Sequence, residues 1–189
     1  MKADWFQIYY ISYGWFGMRI GSDVSEASDF LGYDMPKKFL RKVMQAISKN
    51  TEEWLYLMDE PGAGILHIYY ENEQIHFEEY DLAVDSYELN REDEEAEWGK
   101  RSENSRFHVR ESIQNVVDGI VSEFSLYENG NGRKLYERHW GGFPEKEFEE
   151  LKKYAFQLQK NAGKHEGLYC TTFLEGKSAR PFRKQLSDK

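Results

Sequence analysis

Two histidines and a glutamate on one predicted hairpin form the group of side chains best suited to chemistry in this chain. His67 and His76 lie on neighbouring strand-like stretches, ILHIYY and IHFEEYD, joined by a two-residue turn. Antiparallel pairing about that turn places His67 opposite Glu78, and Tyr69 opposite His76, on one face of the hairpin. Two imidazoles and a carboxylate can bind zinc or share a proton, so a metal-dependent enzyme is one function consistent with the sequence.

The same spacing also fits an ordinary strand surface, because polar groups at every second position are expected on a half-buried antiparallel strand. The chain contains no HExxH motif, no paired CxxC, and none of the GxGxxG, GxxxxGK[ST] or GxSxG patterns. We therefore expect no catalytic residue and no cofactor, and the metal site at His67, His76 and Glu78 remains the alternative.

A second group of candidates is acidic and lies between residues 82 and 105, where a nearly continuous run of carboxylates ends at Trp98. Crowded like charges keep a segment on the surface, so one expectation is a solvated loop. Carboxylates beside aromatic anchors also suit an interface with a basic protein. The predicted partner-binding residues are Asp85, Tyr87, Glu88, Glu92, Asp93, Glu94, Glu95, Glu97 and Trp98.

The overall charge agrees with a basic partner. The chain has 34 acidic and 25 basic residues and a formal net charge of -9. This charge repels nucleic-acid phosphates, and it favours solubility and encounter with basic proteins. The oligomeric state is left open by the sequence.

Cysteine usage and hydropathy favour a cytoplasmic protein. Cys170 is the only cysteine, so no intrachain disulfide can form, which fits a reducing compartment. The N-terminus lacks the apolar run of a signal peptide, and no stretch approaches the roughly 20 apolar residues that span a bilayer. We expect no contact with a membrane.

The first half of the chain predicts mainly strands. Residues 5–12 and 15–20 read as a hairpin that turns at Tyr13 and Gly14, and residues 22–34 as a loop. Gly17 suggests a bulge or a close approach within its strand. A helix with Asp34 as its N-cap should run to residue 50, with a solvated basic face at residues 37, 38, 41 and 42. Residues 53–81 then read as three antiparallel strands.

The second half predicts mainly helices. An apolar stripe indicates a core helix over residues 105–124, in which Gly119 suggests close packing. Residues 125–140 are consistent with a hairpin or with a helix tail followed by a strand at 135–139, and we favour the second. A further helix opens at Pro144 and runs to about residue 160. Residues 168–174 read as a short closing strand.

Together these elements predict one α+β domain over residues 1–174. It would contain an antiparallel sheet of about five or six strands with about three helices packed on one face. Residues 175–189 would form a basic C-terminal tail that is mobile or packs on the acidic surface.

The three-stranded stretch carries a resemblance. Its turn DEPGAG, followed by ILHIYY and then by IHFEEYD, resembles strand runs in small acidic bacterial immunity proteins of polymorphic toxin systems. The resemblance covers residues 53–81 and assigns no individual residue a role. It implies a cytoplasmic inhibitor that binds a toxin domain and performs no reaction. A regulatory module that binds a small molecule on the open face of the sheet is a third possibility.

Overall fold

The computed structural model describes residues 5–28, 32–59, 62–83, 88 and 93–162. These residues form an α+β fold with seven antiparallel strands in two sheets and five helices, which confirms the predicted fold class. The strands are β1 (Phe6–Ser12), β2 (Trp15–Ile20), β3 (Asp23–Ser28), β4 (Glu53–Met58), β5 (Ala63–Glu71), β6 (Gln74–Asp81) and β7 (Phe107–Ser112). The helices are α1 (Met35–Lys49), α2 (Glu94–Glu97), α3 (Ile113–Phe124), α4 (Gly130–His139) and α5 (Glu145–Ala162).

The first sheet has the strand order β1-β2-β3. The hairpin of β1 and β2 forms as predicted, with Tyr13 and Gly14 at positive φ in the turn. The loop predicted over residues 22–34 is wrong for its first part, which forms β3. At alternate positions of this strand, the buried side chains are those of the small residues Ser25 and Ala27. The sequence therefore lacks the alternation of large apolar residues that indicates a strand.

Gly17 in β2 lies opposite a register shift in β1 between Ile8 and Tyr10, so the irregularity is in the partner strand and not in the strand of Gly17. A Cβ at Gly17 would overlap the ring of Tyr10 and approach the ring of Tyr9. The absence of a side chain therefore lets both tyrosine rings lie against the strand backbone.

The second sheet has the strand order β4-β5-β6-β7, and its first three strands are the three antiparallel strands predicted over residues 53–81, which we term the meander. The register agrees with the prediction, because His67 pairs with Glu78 and Tyr69 pairs with His76. The face of Leu66, Ile68 and Phe77 is fully buried. The opposite face of this sheet, which we term the outer face, carries the predicted chemical groups.

Helices α1, α3 and α5 pack together on the inner side and complete one continuous hydrophobic core with residues of both sheets. Trp5 connects the two sheets, since its ring centroid lies 5.6 Å from that of Phe6 and 5.5 Å from that of Phe77. Asp34 occupies the N-cap position of α1 with a φ of 45° but makes no side-chain capping bond. Its carboxylate accepts a hydrogen bond from Trp140 Nε1 at 3.3 Å instead.

The helix predicted over residues 105–124 is correct only from Ile113 onward. The preceding residues form β7, which pairs with β6 from Phe107 to Ser112. Val109 and Ile113 are four positions apart and so match a helical stripe, although the alternation of Phe107 and Val109 matches a strand equally well. Ser112 ends the strand and caps α3, because its hydroxyl accepts from Asn115 N at 3.3 Å.

The strand favoured over residues 135–139 is wrong, because these residues belong to α4. The NGNG sequence starts this helix, with Gly130 at a φ of +61°, and does not form a hairpin turn. The helix that opens after Pro144 is confirmed as α5, and its buried residues include the predicted Phe148, Leu151 and Ala155.

The predicted strand at 168–174, which contains Cys170, and the predicted basic tail at 175–189 lie outside the described residues. The domain boundary at residue 174 therefore stays a prediction. None of the described helices is long and apolar enough to cross a membrane.

Candidate functional site

The outer face of the second sheet brings the predicted cluster together and enlarges it. His67 and Glu78 are directly opposite on β5 and β6, and β7 places His108 opposite Glu78 on the other side. The sequence-based prediction of a helix over residues 105–124 does not include His108 in the cluster, whereas the structure places it on β7. The alternation of apolar Phe107 and Val109 with polar His108 and Arg110 is the signal that places His108 on a strand face.

The rings of this face form a continuous stack. Ring centroids are 4.6 Å apart for His67 and Tyr69, 4.7 Å for Tyr69 and His76, and 5.1 Å for His76 and His108. The phenol ring of Tyr69 thus lies between the two imidazoles that the sequence proposed as metal ligands. Nδ1 of His76 and Nε2 of His108 are 2.9 Å apart and share one hydrogen bond.

Glu78 is the carboxylate at the centre of this stack. Its Oε1 accepts a hydrogen bond from the Tyr69 hydroxyl at 3.0 Å, and its Oε2 accepts one from the Tyr80 hydroxyl at 2.9 Å. His108 Nε2 lies 3.5 Å from Oε1. Burial alone would raise the pKa of Glu78, but the two phenols and the neighbouring histidines hold that pKa below its usual value. Glu78 is therefore an ionised hydrogen-bond acceptor at neutral pH.

His67 lies at the other end of the stack in a largely aromatic environment. Its ring centroid is 5.5 Å from that of Trp54 and 4.7 Å from that of Trp98. Its Nε2 contacts Glu52 at 3.1 Å. Burial lowers the pKa of His67, and Glu52 and Glu78 oppose this effect only in part. The side chain is consequently a neutral imidazole at pH 7.

This arrangement does not form the metal site considered from the sequence. Tyr69 separates His67 from His76, and His76 directs its Nδ1 to His108. Among the described residues, no three His, Cys, Asp or Glu side chains are placed to hold a metal ion. The groups instead form a connected set of rings and hydrogen bonds that can fix the outer face and hold a proton within it.

The acidic segment, by which we mean residues 85–98, is attached to the body of the protein at residues 93–98, so the expected solvated loop is wrong for these residues. Glu94 lies at the start of α2, and its carboxylate contacts Lys38 Nζ at 3.0 Å and Lys42 Nζ at 3.1 Å. The Tyr33 hydroxyl donates to the same carboxylate at 2.9 Å. Burial alone would raise the pKa of Glu94, but the two lysines and this hydroxyl hold it below its usual value.

The basic face predicted for α1 is accordingly not wholly solvated. Lys37 and Arg41 are exposed, whereas Lys42 is buried and also lies 3.6 Å from Glu53 on β4. The contact between Lys42 and Glu94 joins residues that are 52 positions apart in the chain. Sequence periodicity cannot reveal such a contact.

The remaining predicted partner-binding residues fall into three groups. Glu97 is buried and pairs with Lys100 at 2.8 Å, so its carboxylate is engaged within the chain. Glu88, Asp93 and Glu95 are exposed, and Asp93 also caps α2 by accepting from Ala96 N. Asp85, Tyr87 and Glu92 lie outside the described residues.

Trp98 opens a single 3-10 turn, Trp98–Lys100, that continues from α2 onto the outer face. Its ring packs on His67 and on Trp54, with centroid distances of 4.7 and 6.3 Å. After the turn, the backbone of Arg101 pairs with Leu82 in an isolated bridge. Residues 93–101 are thus held at two points: the Glu94 carboxylate pairs with lysines of α1, and Arg101 pairs with Leu82 just after β6.

The same segment covers part of the edge of the sheet. The backbone N–H of Tyr56 on the edge strand β4 donates to the Tyr33 hydroxyl at 3.0 Å, and that hydroxyl donates to Glu94. The Tyr56 hydroxyl donates to the carbonyl oxygen of Asp93 at 3.3 Å. One backbone donor of this edge strand is satisfied in this way by a side chain, which reduces the tendency of the edge to pair with another chain.

A shallow groove lies elsewhere, at the start of α5, and is lined in part by Asp34, Lys37, Phe143 and Pro144. Its lining comes from α1 and from residues 142–147 and includes no residue of the sheets. This groove is therefore not the small-molecule pocket that the sequence placed on an open sheet face.

Comparison of the chain with known protein families, with curated proteins and with solved structures finds no match.

Proposed function

We propose that this protein binds a basic protein partner through the acidic segment that ends at Trp98, and that it catalyses no reaction of its own. The observation that carries the proposal is that the carboxylates of residues 93–95, at the start of α2, face in different directions. Glu94 faces the body of the protein and is held by two lysines, while Asp93 and Glu95 face solvent on either side of it. The inward carboxylate fixes the segment, and the outward carboxylates are presented to a partner.

Fixing the segment in advance favours binding. A partner that meets the fixed residues 93–98 does not have to order them, so less conformational entropy is lost on association. Trp98 is half-buried beside these carboxylates, and a rigid aromatic ring within complementary charge is typical of interface anchors. The net charge of -9 adds long-range attraction for a basic partner.

Within this class we propose a cytoplasmic immunity protein that neutralises a cognate toxin by binding it. The strand sequence over residues 53–81 supports this narrower proposal through its resemblance to such proteins. In this arrangement the meander would serve as the scaffold, because Trp54 and His67 on β4 and β5 support Trp98 from below.

Isothermal titration calorimetry against the toxin domain encoded by the adjacent gene tests the proposal. We expect binding that weakens by a factor of about two to five for each of the substitutions Glu88→Gln and Glu95→Gln, since an exposed charge pair contributes about 0.5–1 kcal/mol. The loss should shrink at high salt. Glu150→Gln on α5 removes the same charge from a distant exposed position and serves as the matched control.

Two results would contradict the proposal. Absence of binding to that toxin domain would remove the immunity role. Binding that Glu88→Gln and Glu95→Gln weaken no more than Glu150→Gln would remove the acidic segment as the interface.

A further inference from the structure

Trp98 and Tyr80 form an aromatic corner on the outer face. Their ring centroids are 5.0 Å apart and their planes are nearly perpendicular, at 88°. The guanidinium carbon of Arg101 lies 4.0 Å from the centroid of Trp98 and 5.5 Å from that of Tyr80. Guanidinium groups are attracted to aromatic faces in this range of distances, and Trp gives the strongest attraction. The corner is therefore built to hold an arginine side chain.

The arginine that occupies the corner is only lightly held. Arg101 is exposed, its Nη1 donates a hydrogen bond to the carbonyl oxygen of Trp98 at 3.0 Å, and its guanidinium group also interacts with the Tyr80 hydroxyl. A guanidinium group has five N–H donors, so most remain available to solvent. The path of the backbone does not depend on this side chain, because it is set by the bridge to Leu82 and by the bond from Ser102 N to Asp81 O at 2.8 Å.

The surroundings of the corner favour a positive charge. Tyr80 donates its hydroxyl to the ionised Glu78 at 2.9 Å, which increases the electron density of the phenol ring. Glu95 is exposed and lies three positions before Trp98 in the chain. A cation brought by another molecule would meet the same rings and the same charges that Arg101 meets.

We propose that the Trp98–Tyr80 corner binds an arginine side chain of the protein partner, and that Arg101 occupies this site until the partner displaces it. The inference rests on the proposed function, since it names the group on the basic partner that the acidic segment receives. Arg101 then acts as a competitor within the chain. Its removal should strengthen the binding of an external arginine.

The test uses the whole chain and a defined probe. The probe is an end-blocked peptide with one arginine between glycines, and its twin carries citrulline, which has the same shape without the charge. Binding is followed by the indole N–H resonance of Trp98 in nitrogen-15 NMR spectra, which Trp98→Phe identifies. We compare the parent protein with Arg101→Gln and with Arg110→Gln, which removes an equal charge from an exposed position on β7.

We expect the arginine peptide to shift the Trp98 resonance and the citrulline peptide to leave it unchanged. The apparent dissociation constant should be about two to five times lower for Arg101→Gln than for Arg110→Gln, which corresponds to one exposed cation–π contact. Equal dissociation constants for the two variants, or equal shifts with citrulline, would overturn the inference.

The peptide test is separate from the toxin titration. If the peptide binds as expected while the adjacent-gene toxin does not bind, the arginine site stands and the proposed function fails. If the toxin binds Arg101→Gln and Arg110→Gln equally well, the proposed function stands and the arginine site fails.

Discussion

The indole of Trp98 lies 4.7 Å from the imidazole of His67, measured between ring centroids, and this contact joins the acidic segment to the sheet. His67 is in turn stacked on Tyr69, and Tyr69 donates to Glu78. The cluster of His67, Tyr69 and Glu78 therefore supports Trp98, the proposed binding residue. Changes in this support should alter both stability and the position of Trp98.

Acidification should destabilise the protein through His67. Burial holds the pKa of this imidazole below its ordinary value of 6.5, so the folded protein binds a proton less readily than the unfolded chain. The free energy of unfolding should consequently fall as the pH drops below 6.5, with charged Glu52 and Glu78 reducing the effect. Urea unfolding of the parent and of His67→Gln at pH 7.5 and 5.5 measures how much free energy of unfolding each protein loses between the two pH values.

The variant should lose less stability than the parent between these two pH values, because its amide does not titrate. His139→Gln, which replaces a histidine outside the cluster, is the control for the loss of an imidazole. A His67→Gln protein with an unchanged pH dependence would show that His67 is not the responsible group.

The hydroxyl of Tyr69 should contribute to the low pKa of Glu78. Tyr69→Phe removes the 3.0 Å hydrogen bond to Oε1, so we expect the pKa of Glu78 to rise and the protein to lose about 1 kcal/mol at pH 7. A carboxylate with a depressed pKa in the folded state stabilises the protein above its unfolded pKa and loses this contribution as the pH falls. Carbon-13 NMR of the glutamate carboxyl groups reports the titration directly.

Tyr70→Phe provides the matched control for that substitution, because Tyr70 lies on the opposite face of the same strand. It should leave the titration of Glu78 unchanged. An unaltered pKa of Glu78 in Tyr69→Phe would mean that Tyr80 and the histidines alone stabilise the carboxylate.

The ion pairs of Glu94 should stabilise the attachment of α2 to α1. Lys42→Met keeps the aliphatic stem but removes the ammonium group 3.1 Å from Glu94 and 3.6 Å from Glu53. Because these groups are largely buried, we expect a loss of about 1–3 kcal/mol in urea unfolding. Lys37→Met on the exposed face of α1 should change stability by less than about 0.5 kcal/mol. Equal effects of the two substitutions would contradict a structural role for the pair.

The meander was predictable from the sequence, in contrast to its surroundings. Residues such as Leu66, Ile68 and Phe77 alternate with polar groups, and a one-residue slip would expose all of them, so the register is strongly determined. Strand β3 offers only Ser25 and Ala27 on its inner side, and its position depends on pairing with β2. No local pattern distinguishes such a strand from a loop.

The candidate site was predictable only where two strands joined by a short turn form it. The pairing of His67 with Glu78 follows from a two-residue turn, whereas the contact of Trp98 with His67 depends on how a segment 31 positions away folds back. The run of acidic residues likewise predicts a negatively charged segment, but it does not predict which side chains face the protein and which face solvent. Glu94 faces inward because its carboxylate pairs with Lys38 and Lys42 of α1.

Gly119 should be essential for the contact between α3 and Trp5. The indole N–H of Trp5 donates to the carbonyl oxygen of Asn115 at 2.5 Å, and a Cβ at Gly119 would overlap that indole nitrogen. Alanine favours a helix interior over glycine by about 1 kcal/mol, so propensity alone predicts that Gly119→Ala stabilises the protein. We expect the opposite, a loss of about 1–3 kcal/mol, because the indole or the helix must shift within a packed core. Ser122→Ala on the same helix isolates the propensity effect, and urea unfolding that showed Gly119→Ala to be as stable as Ser122→Ala would contradict the close packing.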